Sequence, residues 1–244
     1  MHRFFVDGRD IFDGKVTLHG KNAAHGAVLR LNIGEQIVVC DGAGRDYFCV
    51  VDAIEKGQIF CKVRHAQDSA AEPKMAAVTL FQALPKGDKL SEIVEKCVEL
   101  GVSRIVPFVA ERSITRPSSR DSKKIERLRA VAESAAKQSG RGRIPIIEDV
   151  VDLREAIAIA KQHDAAFACY ESEDKLTLRD LLRPLVGGQS ELAFFVGPEG
   201  GFTLEEVSMF LDNKIPTISL GPRILRTETA GPATLANILY ELEA

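Results

Sequence analysis

FFVGPEGGFT, at residues 194–203, is the stretch that says most about the fold of this chain. Its apolar start is typical of a strand buried on both faces, and three glycines and a proline follow that strand at once. Glycines at this point allow the backbone to approach a ligand closely. Thr203 and Glu206 have the spacing of a capping box, so a helix should begin next. The stretch therefore predicts a strand, a binding loop and a helix, with a ligand beyond the carboxyl end of the strand.

From residue 75 onward the chain repeats this alternation of strands and helices. Asp88 and Gly101 have the positions of an N-cap and a C-terminal stop around one helix, and Asp152 and Thr177 each resemble the first residue of a capping box. Because the strands are apolar throughout, they should form a mainly parallel sheet covered on both faces, which is an α/β fold. We predict strands at 77–84, 104–109, 165–170, 192–196 and 217–220, and helices at 89–100, 121–139, 152–162, 177–185 and at the C-terminal end.

The first 65 residues follow a different pattern, in which short β-branched and aromatic runs are separated by turns such as DGAG at 41–44. This pattern predicts a small closed or half-closed barrel, interrupted by a short helix at 22–29. The polar, alanine-rich segment 66–74 is interpreted as a linker. We therefore predict two consecutive domains, a β domain at 1–70 and an α/β domain at 74–244.

Composition argues against several classes of protein. No run approaches the roughly 18 apolar residues that a membrane-spanning helix needs, and charged residues come too early at the N-terminus for a signal peptide. The five cysteines are widely spaced and form no C-x-x-C pair, which argues against a metal site or a disulfide. We expect a cytoplasmic globular protein that needs neither a membrane nor a metal.

The charge distribution is uneven, although the net charge of the whole chain is only −3. Residues 104–143 contain eleven Lys or Arg and four acidic residues, a local net charge of +7. A segment of this kind can neutralise phosphates of a nucleic acid. A solvated helix face followed by a loop explains the same charges equally well.

Two more loops follow predicted strands and contain polar residues suited to a ligand. The first, QALPKGD at 82–88, is an ordinary strand-to-helix turn on its residues alone. The second, SLGPRILRTETA at 219–230, places two arginines, a glutamate and two threonines around aliphatic residues. Its position after the last strand favours a binding site over a charged surface turn.

Taken together, GPEGGFT at 197–203 and LGPRILRTETA at 220–230 resemble the RsmE family, the 16S ribosomal RNA uridine N3-methyltransferases of the SPOUT class. The resemblance covers essentially the whole chain, because the opening RFFV at 3–6 and three shorter motifs are similar too. These motifs are KxxELGV at 96–102, ERS at 111–113 and QSGR at 138–141. Lys137 departs from the acidic residue expected before that glutamine.

The resemblance implies a PUA-like β-barrel followed by a SPOUT, trefoil-knotted α/β methyltransferase domain. It also implies that S-adenosyl-L-methionine is the cofactor and that the active sites form in a homodimer. The implied partner is 16S rRNA of the small ribosomal subunit. We expect the last helix, from about residue 232 to 242, to contribute to the dimer interface.

Roles for individual residues follow from the resemblance together with the chemistry. N3 of a uracil carries a proton, so the reaction needs a proton acceptor and a group that stabilises the developing anion. Glu228 is our candidate acceptor and Arg226 our candidate anion stabiliser; a helix cap or an ion pair with an arginine explains Glu228 equally well. Glu199 either binds the ribose hydroxyls or braces its loop. The candidate cofactor-binding residues are Leu84, Val196, Gly197, Glu199, Gly200, Leu220, Gly221, Ile224 and Leu225.

Positively charged residues are the candidates for RNA contact, where they would position phosphates rather than read bases. These are Arg3, Arg9, Lys86, Arg112, Arg116 and Arg141. An alternative function is a non-catalytic RNA-binding or ribosome-assembly factor of the same fold, but such a protein would not need both binding loops intact. A nicotinamide-dependent enzyme would need a glycine fingerprint after its first strand, and the sequence has none.

Overall fold

The computed structural model describes residues 1–114 and 121–243, so that the predicted RNA contact Arg116 lies outside the described residues. The chain divides into two compact units. The first consists of Met1–Glu72 together with Ala136–Ile144, and the second of Pro73–Ala135 together with Pro145–Ala244. This division differs from the two consecutive domains predicted above, because a segment from the middle of the chain packs with the N-terminal unit.

The first unit is built on a six-stranded sheet with the order β1-β4-β5-β6-β3-β2. The first strand pairs in parallel with the fourth, and all other pairs are antiparallel. Because this order has two ends, the barrel is half-closed. Its elements are β1 (His2–Phe5), β2 (Ile11–Phe12), β3 (Lys15–His19), α1 (Gly20–Val28), β4 (Gln36–Cys40), β5 (Arg45–Glu55) and β6 (Gln58–Asp68). The predicted linker therefore begins too early, since its first three residues belong to β6.

Alternating apolar side chains of these strands form the core of the first unit. Phe4, Leu18 and Ile37 are completely buried in it. Cys49 and Cys61 lie in the same core as free thiols, and burial raises the pKa of Cys49 to about 12 and of Cys61 to about 11. These two cysteines thus act as small hydrophobic residues.

Glu72 attaches the segment Ala136–Ile144 to the rest of the first unit. Its carboxylate accepts hydrogen bonds from Arg141 Nη2 at 2.7 Å, from the backbone N of Gly142 at 2.9 Å and from that of Arg143 at 3.0 Å. Only 2% of the Arg141 side chain is exposed. A buried arginine paired in this way is costly to separate from its partner, so the segment is firmly held.

The second unit contains a seven-stranded, entirely parallel sheet. Its order is β10-β8-β7-β12-β11-β13, with β9 paired to β8. The strands are β7 (Ala76–Ala83), β8 (Arg104–Val109), β9 (Ile146–Ile147), β10 (Val151–Asp152), β11 (Ala165–Cys169), β12 (Ser190–Val196) and β13 (Thr217–Ile218). The predicted strands are confirmed, although the last is shorter than expected, and the parallel arrangement brings their carboxyl ends to one edge.

Helices alternate with these strands as predicted. They are α2 (Lys89–Leu100), α3 (Asp121–Ser139), α4 (Leu153–Ala160), α5 (Leu178–Leu182), α6 (Leu204–Asp212) and α7 (Thr227–Leu242). Thr177 and Thr203 form complete capping boxes, and Asp152 accepts a hydrogen bond from the N–H of Glu155. Asp88 lies at the N-cap of α2 as predicted, but its side chain is largely exposed and makes no capping hydrogen bond. Gly101 ends α2 at φ +107°, a conformation that favours glycine.

Stacked phenylalanines fill the core of the second unit around the two central strands. The rings of Phe81 on β7 and Phe195 on β12 stack 4.5 Å apart, and Phe108 and Phe210 pack against Phe195. Among residues 1–114 and 121–243, every helix is too short or too polar to cross a lipid bilayer. The trefoil knot implied by the family resemblance stays a prediction.

Candidate active site

A cavity of about 760 Å³ opens at the carboxyl ends of β11, β12 and β13, entirely within the second unit. Three segments form its walls, each following one of these strands. We call residues 197–203 the glycine loop and residues 219–226 the arginine loop; the third wall is 169–174. Lys89 at the start of α2, Val196 at the end of β12, and Thr227 and Ala230 of α7 also line the cavity. The two loops singled out in the sequence therefore face one cavity.

Most of the predicted cofactor-binding residues line this cavity, and two do not. Those that do are Val196, Gly197, Glu199, Leu220, Gly221, Ile224 and Leu225. Leu84 is buried, with its N–H bonded to the carbonyl of Phe108. Gly200 faces Arg112 instead, whose Cβ would lie 3.2 Å from a Cβ placed on that glycine. In this structure, therefore, Leu84 supports the strand end, and Gly200 makes room for an arginine.

A buried chain of hydrogen bonds fixes the first residue of the glycine loop to β7 and α7. Gln82 Nε2, at the end of β7, donates to Thr227 Oγ1 at 3.0 Å, and Thr227 Oγ1 donates to the carbonyl of Gly197 at 2.7 Å. Gln82 is fully buried and Thr227 is 5% exposed. The Thr227 hydroxyl accepts one hydrogen bond and donates the other, so that it links the two partners. This link fixes the position of the first residue of α7 relative to the first residue of the glycine loop.

The other end of the glycine loop is held by the segment after β8. Arg112 Nη1 donates to the carbonyl of Gly200 at 2.7 Å. The buried carboxylate of Glu206 accepts hydrogen bonds from the N–H of Glu111 at 2.8 Å and from the N–H of Thr203 at 2.9 Å. Hydrogen bonds from other segments of the protein thus hold the glycine loop near both of its ends.

A lysine and two glutamates form a charged cluster at the cavity wall. Lys89 Nζ lies 3.0 Å from Glu199 Oε1 and 3.1 Å from Glu228 Oε2. Glu199 also accepts a hydrogen bond from the backbone N–H of Lys86 at 3.2 Å. These contacts join the turn after β7 to the glycine loop, which agrees with the interpretation that Glu199 braces its loop. The contact of Glu199 with the ribose hydroxyls stays a prediction.

Both carboxylates of this cluster are kept ionised. Burial raises the pKa of Glu199, but hydrogen bonds from its own N–H, from Lys89 and from the N–H of Lys86 outweigh burial and leave the pKa below its ordinary value. The pKa of Glu228 is also lowered, chiefly by a hydrogen bond from its own N–H; burial opposes this effect, and Lys89 and Arg226 add to the lowering. Its side chain is only 15% exposed.

Sequence reasoning missed Lys89, and a signal for it existed. The positive end of a helix dipole disfavours a cation in the first turn, where acidic residues are preferred. Lys89 is the first residue of α2, so its ammonium group needs another partner to be stable there. The two glutamates supply that partner.

The arginine loop, in contrast, exposes its side chains. The Arg226 side chain is 84% exposed, and its Nη1 lies 4.0 Å from Glu228 Oε1. Ile224 is 82% exposed. Both predicted catalytic residues are therefore neighbours at the start of α7, with the arginine in solvent and the glutamate against the cavity wall.

The third wall, 169–174, contains residues that the sequence did not single out. Glu173 accepts a hydrogen bond of 2.5 Å from the hydroxyl of Thr217, and this bond is the main reason that the pKa of Glu173 lies below its ordinary value. Cys169 is buried beside Thr234. The preceding strand, β11, consists only of small and aromatic residues, so no sequence motif indicated that a binding-site wall follows it.

The predicted RNA contacts divide into exposed and buried groups. Arg9 and Lys86 are exposed, as is Arg112. Arg3 instead makes a bidentate ion pair with Asp46 at 2.6 and 2.9 Å, and its side chain is 13% exposed. Arg141, paired with Glu72, is more buried still. In this structure both guanidinium groups pair with carboxylates of the first unit, and their contact with RNA phosphates stays a prediction.

Residues 72–239 match the family described as RNA methyltransferase domain, and residues 26–64 match the RNA methyltransferase PUA domain. A curated relative from Bacillus subtilis, ribosomal RNA small subunit methyltransferase E, is 35% identical over 88% of this chain and 86% of its own length. The chain belongs to the ribosomal RNA small subunit methyltransferase E family.

Solved structures related to this family have the same fold. That of ribosomal RNA small subunit methyltransferase E from Neisseria gonorrhoeae, bound to S-adenosyl methionine, superposes with a TM-score of 0.87 at 30% identity, covering 99% of this chain and 98% of that one. A methyltransferase from Legionella pneumophila in complex with the same cofactor gives 0.84 at 28% identity, covering 98% and 96%. The predicted α/β fold with a PUA-like N-terminal domain is confirmed.

Proposed function

We propose that this protein transfers a methyl group from S-adenosyl-L-methionine to N3 of a specific uridine in 16S rRNA of the small ribosomal subunit. The observation that carries the proposal is that the glycine loop and the arginine loop line a single cavity. Family membership supplies the reaction class, and the names of the relatives supply the RNA. A substrate of this kind places the enzyme in the cytoplasm.

The composition of the cavity suits this cofactor. Its volume is within the range of small-molecule sites, and it combines aliphatic side chains with backbone groups of glycine-containing loops. Val196, Leu220, Ile224 and Leu225 would enclose the adenine, while the loop backbone would bind its polar edge and the ribose. The cofactor supplies a methyl group already activated by the positive sulfur, so that the protein needs only to align the reacting atoms.

The chain's own residues would handle the proton and the charge. The N3 proton would pass to a carboxylate, and negative charge would spread onto O2 and O4 of the uracil. N3 would then bond to the methyl carbon while the bond from that carbon to the sulfur breaks with its electron pair staying on the sulfur, and this transfer neutralises the uracil anion. Glu228 is ionised, faces the cavity wall and can accept that proton. Arg226 is exposed beside it and can donate hydrogen bonds to the developing anion.

RNA and a second copy of the chain would complete the assembly. Arg9, Lys86 and Arg112 are exposed cations suited to phosphates. We assign the dimer contact to α7 from residue 232 to 242, where Tyr240 is 77% exposed. Sedimentation at micromolar concentration should give a dimer, and a stable monomer would refute this assignment.

The proposed function is tested by incubating the protein with small ribosomal subunits and a cofactor that carries a labelled methyl group. Digestion of the RNA followed by mass spectrometry should find the label on N3 of one uridine of 16S rRNA. Label on another base would refute the position, and no label with intact protein and subunits would favour a non-catalytic RNA-binding factor.

A further inference from the structure

We propose that Lys89 is a positioning residue for methyl transfer: it holds the Glu228 carboxylate against the cavity and joins it, through Glu199, to the glycine loop. This inference rests on the function proposed above. It concerns a residue outside both sequence motifs, the first residue of α2, which follows a different strand, β7.

The geometry of Lys89 carries the inference. Its ammonium nitrogen lies between two carboxylates, at 3.0 Å from Glu199 and 3.1 Å from Glu228. Glu199 belongs to the glycine loop after β12, and Glu228 belongs to the first turn of α7. One cation therefore joins three segments that follow different strands, and it does so at the edge of the proposed cofactor cavity.

The balance of charge shows why this cation is needed. Without Lys89, two carboxylates would face each other across the same wall, and like charges raise each other's pKa. Within the described part of the chain, three cations act on Glu228, namely Lys89 and Lys96 from α2 and Arg226 from the arginine loop. Glu199 shares Lys89 with Glu228. Of the three cations, Lys96 is bonded to Glu92 at 2.5 Å and Arg226 is 84% exposed, so Lys89 is the cation in direct contact with the carboxylate.

The consequence concerns both steps in which Glu228 takes part. An ionised, fixed carboxylate is ready to take the uracil proton. Because its pKa is low, the protonated acid then returns the proton to water before the next turnover. Without Lys89 the carboxylate keeps the hydrogen bond from its own N–H and the 4.0 Å contact with Arg226, and it loses the cation that joins it to the glycine loop. Misplacement by about 1 Å can cost about 100-fold in rate.

The experiment compares Lys89→Met, Lys89→Gln and Lys89→Arg with a matched control, Lys161→Met. Lys161 is an exposed lysine of the same unit, hydrogen-bonded to Asn213. We expect the two neutral variants to lower the single-turnover rate at saturating cofactor and RNA by about 10- to 100-fold. The arginine variant should recover most of the rate, because it restores the cation, and Lys161→Met should match the wild type.

Two further readouts separate positioning from a general structural effect. In a Glu228→Gln background the Lys89→Met change should alter the rate by less than about twofold, because the two residues act through each other. In the protein without cofactor, ¹³C NMR of labelled glutamate should show the Glu228 titration midpoint moving to higher pH in the Met and Gln variants and staying in place in Lys161→Met.

The inference fails if the wild type is active while Lys89→Met and Lys89→Gln keep the wild-type rate and the wild-type Glu228 midpoint. It also fails if Lys89→Met costs as much in the Glu228→Gln background as in the wild type. If the wild type transfers no methyl group, the proposed function fails instead, and the NMR titration still decides whether Lys89 holds Glu228 ionised.

Discussion

The glycine loop and the arginine loop line the same cavity but are built in opposite ways. The glycine loop accepts hydrogen bonds from Thr227, Arg112 and the backbone of Lys86, so protein groups fix it at several points. The arginine loop exposes Ile224 and Arg226 by more than 80%. One wall of the cavity is therefore complete within this chain, whereas the side chains of the other are available to whatever binds next.

This difference assigns different work to the two loops. A loop that is already fixed by hydrogen bonds loses little conformational entropy when a ligand binds, so the glycine loop is suited to hold the cofactor. An exposed arginine beside an ionised glutamate is suited to act on a substrate that arrives later. The predictions below test this division, beginning with the largest effect.

Replacing Arg226 with Ala should reduce the single-turnover rate by about 10²- to 10³-fold, as for other donors that stabilise a developing anion. Because the side chain is exposed and makes only a 4.0 Å contact with Glu228, stability and cofactor affinity should stay near wild type. RNA affinity should change little too. A variant that loses RNA binding but keeps its rate on saturating substrate would contradict the role given to Arg226.

Replacing Thr227 with Val should affect the glycine loop instead. The valine has nearly the same shape but leaves Gln82 Nε2 and the carbonyl of Gly197 without their shared hydroxyl, which should cost about 1–3 kcal/mol of stability. Urea denaturation measures this cost, with the exposed Thr229→Val as a control. Cofactor affinity should fall with stability. An unchanged affinity would show that the chain of hydrogen bonds does not position the loop.

Replacing Arg112 with Ala should weaken the binding of both the cofactor and the RNA. It removes the donor to the carbonyl of Gly200, which should weaken cofactor binding several-fold, and it removes an exposed cation, which should make the salt dependence of RNA binding shallower by about one unit. Arg9→Ala should give only the second effect, because Arg9 lies in the first unit. If Arg112→Ala leaves cofactor affinity intact, the glycine loop is held without it.

The smallest effect is a pH dependence of stability at the third wall. Because the pKa of Glu173 is below its ordinary value of 4.5, its stabilising contribution is present above that value and is lost as the pH falls through the lower, folded-state pKa. Thr217→Val removes the main hydrogen bond responsible. The stability difference between variant and wild type should therefore shrink between pH 7 and pH 3. A difference that is the same at both pH values would exclude this origin.

Local patterns predicted most of the fold because they depend on neighbours in the sequence. The capping boxes at Thr177 and Thr203, the stop at Gly101 and the parallel strands all follow from short-range rules. The packing of Ala136–Ile144 within the N-terminal unit involves contacts between residues far apart in sequence, such as the ion pair between Glu72 and Arg141 across 69 positions, and no periodic pattern in the sequence predicts them.

The parts of the site that consist of continuous sequence motifs were predictable. The parts that are brought together from distant segments by folding were not. Gly197 and Leu220 belong to uninterrupted motifs and both line the cavity. Lys89 joins them only because β7 and β12 are neighbours in the sheet. The ion pairs of Arg3 and Arg141 were not predicted for a related reason: a charge in the sequence does not reveal the carboxylate, distant in sequence, that pairs with it.

The most direct test of the division between the two loops is calorimetric titration of the protein, without RNA, with S-adenosyl-L-methionine and with its demethylated product. If the glycine loop is a ready-made cofactor site, each chain should bind one molecule of either ligand, and Arg226→Ala should bind as the wild type does. A folded protein that gives no binding heat with either ligand, or that binds them only when RNA is present, would contradict the account.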